Sequence, residues 1–81
     1  MKIYTQKRNI TKNIYAIYDL EEENGSYGMT ITEYNEKINQ VTKRTVKAFT
    51  TDKEKAKVIY DKICKGRACA VHLADIIENL V

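Results

Sequence analysis

A chain of 81 residues, 43% hydrophobic and 31% charged, has the composition of one small soluble domain and lacks the length for a second. At this size only about 60% of the unfolded surface is buried on folding, so the core is small and a deep pocket is not expected. The net charge of +3 hides a segregation in blocks: residues 1–18 carry +4, 19–36 carry −6, 37–67 carry +7 and 68–81 carry −2, which excludes a uniformly basic molecule.

Lys2 to Arg8 alternates well enough to form a first strand, with Asn9 to Lys12 as the turn. Ile14, Ala16, Tyr18 and Leu20 then recur at every second position, the period of a half-buried strand. Asn24-Gly25 tolerates the positive φ of a type I′ hairpin turn, and alternation resumes through Met29 and Ile31. Counting outward from that turn pairs Glu23 with Ser26, Leu20 with Met29, Tyr18 with Ile31 and Ile17 with Thr32. One face then holds Ile14, Ala16, Tyr18, Leu20, Met29 and Ile31, and the other Tyr15, Ile17, Asp19, Thr30, Thr32 and Tyr34.

Asn35-Glu36-Lys37 is a polar turn candidate. Ile38 to Phe49 reads as a fourth strand anchored by Val41, Val46 and Phe49, whose uneven spacing predicts a bulge. Thr51-Asp52-Lys53-Glu54 matches a capping box that starts a helix. Ala56, Ile59, Tyr60 and Ile63 make its apolar stripe, and Gly66 is read as the C′ residue that stops it. Leu73, Ile76, Ile77 and Leu80 give a second short helix from Val71. The expected fold is α+β, a four-stranded antiparallel meander covered on one face by two C-terminal helices, in the order β-β-β-β-α-α.

No apolar run nears the roughly 18 residues of a membrane span, and Met1 to Arg8 is basic without an apolar stretch behind it. These features predict a cytoplasmic protein with no membrane partner and no secretory signal. In that reducing setting the two cysteines are expected to stay thiols.

Catalytic motifs are absent, and the chain is read as non-enzymatic. Cys64, Cys69 and His72, spaced C-x4-C-x2-H with Asp75 one helical turn on, carry metal-ligand chemistry but make an incomplete zinc set. The alternative is two small buried hydrophobes at a helix corner, so no metal or cofactor is assigned. Glu21, Glu22 and Glu23 form an acidic run at the hairpin tip, either a solvated tip or a finger that meets a basic groove on a partner. Lys43, Arg44, Lys47 and Lys55 are candidates for a phosphate-binding surface, with Tyr4, Tyr15 and Tyr34 able to stack on bases if they share the open sheet face. Tyr15, Ile17 and Tyr34, with Tyr27 as a further member, are the candidates for a protein-binding face, since aromatic groups with few local charges resemble an interface core. That face would equally be hidden by self-association into a homo-oligomer. The preferred expectation is a small protein-interaction module, a regulator or phage-type inhibitor; the alternative is a nucleic-acid binder.

Tyr27-Gly28-Met29-Thr30-Ile31, Phe49-Thr50-Thr51-Asp52-Lys53-Glu54 and the closing Val71-His72-Leu73-Ala74-Asp75-Ile76-Ile77-Glu78-Asn79-Leu80 resemble segments of a family of short uncharacterised bacterial proteins. Members of that family have a strand-rich first half, a T-x-D-x-E helix start and a final segment of the form H-L-x-D-(I/V)-I-E-x-x-L. The resemblance implies the strand-then-helix order and a cytoplasmic setting, and it assigns no activity.

Overall fold

Asn24 and Gly25 both take left-handed backbone, at φ 53° and 82°, the geometry whose twist matches two right-twisted strands. The turn they form sets the register of everything around it. In a computed structural model describing residues 1–81, Lys2–Thr11 (β1), Ile14–Glu23 (β2), Ser26–Asn35 (β3) and Gln40–Thr50 (β4) form one antiparallel sheet in sequence order. Helices Lys53–Lys65 (α1) and Leu73–Leu80 (α2) follow, the second entered through a tight 3-10 turn at Ala70–His72. The expected β-β-β-β-α-α order and helix-covered sheet are those of the structure. So is the hairpin register: Glu23 faces Ser26, Leu20 faces Met29, Tyr18 faces Ile31 and Ile17 faces Thr32.

The row of side chains turned toward the helices is the core. Ala16, Tyr18, Leu20, Met29 and Ile31 from the sheet meet Ala56, Ile59, Tyr60, Ile63, Leu73 and Ile77 from the helices, and all are buried. Two phenols bind the layers together. The Tyr60 hydroxyl donates to the Tyr18 carbonyl at 2.7 Å, and the Tyr18 hydroxyl donates to the Ala68 carbonyl at 2.8 Å. No helix is long and apolar enough to cross a membrane.

Several local expectations need correction. The first turn is Lys12-Asn13, so β1 runs on to Thr11. Ile38 lies in the turn at 36–39, and β4 starts at Gln40. Val46 and Phe49 do pack against the core, but Val41 is 58% exposed beside Tyr34 on the opposite face. The helix cap is Asp52 rather than Thr51: its carboxylate accepts from the Glu54 and Lys55 amides at 3.0 and 3.2 Å. At the other end Gly66 stays helical (φ −77°), and Arg67 takes the left-handed position (φ 51°). The Arg67 and Ala68 amides donate to the Cys64 and Ile63 carbonyls, a Schellman closure with arginine where glycine is usual.

The bulge falls at the end of β4, where two steps along β3, Tyr27 to Met29, face four along β4, Thr50 to Val46, with Ala48 at φ 52°. Gly28 sits in this gap. A Cβ there would lie 2.9 Å from the Val46 carbonyl oxygen and 3.2 Å from the Lys47 Cα, both backbone atoms that cannot swing away. Gly28→Ala is therefore expected to cost about 1–3 kcal/mol through forced displacement of β4, read as a lower urea midpoint with unchanged m-value; a midpoint within error of the parent would contradict the assignment.

Candidate functional site

Strand alternation sends every second side chain of this sheet away from the helices, and no element of the chain packs over that second face. Tyr15 and Tyr34, paired across β2 and β3, stack with ring centroids 4.8 Å apart and planes 14° apart. Lys7 on β1 holds its ammonium 4.4 Å from the Tyr15 ring centre, a cation over a π-face. Ile17 and Thr32 form the next rung, then Asp19 and Thr30, then Glu21 and Gly28. From β4, Val41 stands beside Tyr34 and Lys43 beside Thr32. Ile17, Asp19, Glu21, Tyr34, Val41 and Lys43, with the threonines between them and Lys2 and Lys47 at the rim, line a shallow concavity of about 570 Å³; Tyr15 and Lys7 lie beside it.

Tyr15, Ile17 and Tyr34 thus meet on one half-buried surface, as the alternation predicts. Tyr27 and Tyr4 do not join them. Tyr27 is buried on the helix side, its hydroxyl 3.4 Å from Glu22. Tyr4 pairs with Leu20, also on the helix side, where its ring lies 6.0 Å from that of Tyr60 under the Lys57 ammonium.

The acidic run does not act as one finger, because alternation divides it. Glu21 and Glu23 line the end of the open face nearest the turn, whereas Glu22 turns to the helix side and Tyr27. The basic candidates separate as well. Lys43 and Lys47 line the open face; Arg44 pairs with Ile31 on the helix side, its guanidinium on the Lys43 carbonyl; Lys55 is exposed on α1. The open face therefore carries both signs, with Lys7 and Lys43 toward the tyrosines and Asp19, Glu21 and Glu23 toward the turn, where Lys2 and Lys47 lie among them.

Asp19 is a member of the face that periodicity located without indicating its condition. It is only 6% exposed, and its Oδ1 has no hydrogen-bond partner. Its Oδ2 lies 3.6 Å from the Lys2 ammonium. Beside it the Thr30 hydroxyl donates to Glu21 Oε1 at 2.7 Å and meets the Thr45 hydroxyl at 2.9 Å, so Thr45 is left to donate to Thr30.

The cysteines are both free, Cys64 buried and Cys69 half-buried. Burial raises the Cys64 thiol above its ordinary value, the opposite of what a nucleophile or metal ligand requires. No three His, Cys, Asp or Glu side chains gather at metal-binding distance, so Cys64, Cys69, His72 and Asp75 form no such set.

Fold and surface together define an α+β domain with one sheet face spent on its core and the other left free. The chain belongs to the family of unknown function DUF6514, whose family model matches residues 2–81. No curated protein and no solved structure matches it.

Proposed function

We propose that this domain is a small non-enzymatic protein-interaction module of the cytoplasm, a regulator or inhibitor that works by presenting its open sheet face to an extended protein segment of mixed charge. The observation that carries the reading is the parallel Tyr15–Tyr34 stack next to Ile17 and Val41 on a face no other element covers. Rigid phenols beside aliphatic side chains are the groups that dominate interface energetics, because they bury large area at small entropic cost. The two free thiols fit a reducing compartment.

Charge separates a protein partner from a nucleic acid. Lys43, Lys47 and Lys7 would attract phosphates, but Asp19, Glu21 and Glu23 share their face and would repel a backbone that carries one charge per nucleotide. A polypeptide with both signs complements both ends.

The double variant Tyr15→Ala/Tyr34→Ala is expected to keep its circular dichroism and cooperative melting, since both rings are only half-buried, and to weaken partner binding about 30-fold or more. A photo-crosslinking residue at Thr32, on the open face, should trap a polypeptide, and one at Val58, on the helix side, should not. Undiminished binding by the tyrosine variant, or nucleic acid as the species trapped at Thr32, would refute the proposal.

A further inference from the structure

A carboxylate removed from water is costly unless its oxygens are paired, and Asp19 is paired poorly. Its one ionic contact, Lys2 at 3.6 Å, is well beyond the roughly 2.7–2.9 Å of a charge-assisted hydrogen bond. The Lys2 side chain is itself 67% exposed, so the contact is that of a solvated group at the rim. Oδ1 receives no donor from any direction and is closed off from solvent, so a ligand reaches it only after the side chains over it move aside. The neighbouring hydroxyls of β3 and β4 are oriented elsewhere, Thr30 toward Glu21 and Thr45 toward Thr30, and Thr5, which faces Asp19 from β1, gives Oδ1 no hydrogen bond. Folding has therefore placed a charged group in the floor of a concavity with its hydrogen-bonding capacity unfilled, and has put a second carboxylate, Glu21, two residues along the same strand and face.

We infer that Asp19 is the receptor for an arginine side chain of the partner segment, and that Lys2 is an internal placeholder which the arginine displaces. This rests on the docking face proposed above and names the chemistry that the face selects. A planar guanidinium reaches both oxygens of one carboxylate at once, which an ammonium cannot do; it would give Oδ1 the donor it lacks. The arginine methylenes would lie along Ile17 and Tyr34, which line the same concavity, and Glu21 would flank the outer edge of the guanidinium. The Glu22 amide donates to the Met1 carbonyl at 2.9 Å, which holds the Lys2 backbone in place while its side chain swings out.

The probe is n-butylguanidinium chloride, titrated into isotope-labelled protein at low salt, with n-butylammonium and n-butanol as controls. Butylguanidinium should produce saturable shifts at Ile17, Thr30 and Thr45, stronger than butylammonium, with butanol producing none. Lys2→Ala removes the competitor and should tighten butylguanidinium binding about two- to five-fold, the usual range for an exposed ion pair. Asp19→Asn should abolish saturation while melting at or above the parent temperature, since it relieves a buried charge whose one ionic partner is distant and exposed. Three results would overturn the inference: no saturable shift in either the parent or Lys2→Ala, equal affinity in Asp19→Asn, or a clear loss of stability in Asp19→Asn. A partner retained by Asp19→Asn but lost by Tyr15→Ala/Tyr34→Ala would overturn the arginine receptor and leave the docking face standing. A partner retained by the tyrosine variant, with butylguanidinium still seated on Asp19, would overturn the docking face alone.

Discussion

Tyr18→Ala is expected to leave the chain unfolded or barely folded at about 25 °C, whereas Tyr18→Phe stays folded at a cost of about 1–2 kcal/mol. An 81-residue domain has a stability of roughly 4–12 kcal/mol at 0.05–0.15 kcal/mol per residue. Truncating a large buried aromatic side chain costs about 3–5 kcal/mol. Tyr18 has no exposed surface and lies within the core, its carbonyl accepting from the Tyr60 hydroxyl and its own hydroxyl reaching the α1–α2 connection at Ala68. The alanine variant loses the packing and also strands the Ala68 carbonyl, whose donor is the Tyr18 hydroxyl. The phenylalanine variant strands only the carbonyl, which isolates the hydrogen-bond contribution. Urea unfolding of both variants checks this, and an alanine variant costing less than about 2 kcal/mol would mean the core does not close over Tyr18 as described.

Where the sequence can be read, one period governs a whole element. Asn24-Gly25 sets a turn, and a side-chain period of two then places twelve positions of β2 and β3 on their proper faces without further information. The same period argues for a buried Tyr27, two residues before the inward Met29, against a place on the open face. It likewise divides Glu21 and Glu23 from Glu22. Val41 failed for a different reason. A β-branched residue five positions from the inward Val46 can share its face only across a bulge, and the bulge lies beyond Val46, where Gly28 admits the β4 backbone. Close approach of that kind depends on both strands and is not written in either one. Tyr4 depended on a β1 register that no turn dipeptide sets. Asp19 was placed on the correct face, but its burial comes from neighbours on three strands, Lys2, Thr30 and Thr45 among them, and no local pattern reports it. Arg67 in the left-handed position shows a backbone requirement imposed by the closure of α1 rather than by the residue that meets it.

Alkaline pH is expected to unfold this protein over a window set by its two buried phenols. Burial, with the Cys64, Cys69 and Glu33 groups nearby, pushes the Tyr18 phenol up to about 12; burial against Cys64 raises Tyr60 further still. In the unfolded chain both titrate near 10. Below about pH 10 the two states hold the same protons at these two phenols, which therefore add no pH dependence there. Above it the unfolded chain releases protons that the native state retains, so stability falls with rising pH, by about 1.4 kcal/mol per pH unit for each tyrosine, until the folded phenol also ionises. Tyr18 alone then accounts for roughly 2–3 kcal/mol by pH 12, and Tyr60 adds a loss of the same sign over the same interval. The structural cause is direct: each hydroxyl is a donor to a backbone carbonyl, Tyr60 to Tyr18 and Tyr18 to Ala68, and a phenolate has no proton to give. The raised Cys64 thiol acts in the same direction from about pH 9. Urea midpoints taken between about pH 8 and pH 12, with tyrosinate absorbance followed in parallel, should be level at first and then fall steeply, the last phenols ionising only as the fold is lost. Tyr18→Phe should remove about half of the steepness. A midpoint unchanged up to pH 12, or buried tyrosines that ionise near 10 while the fold persists, would show that neither phenol is sealed in the core.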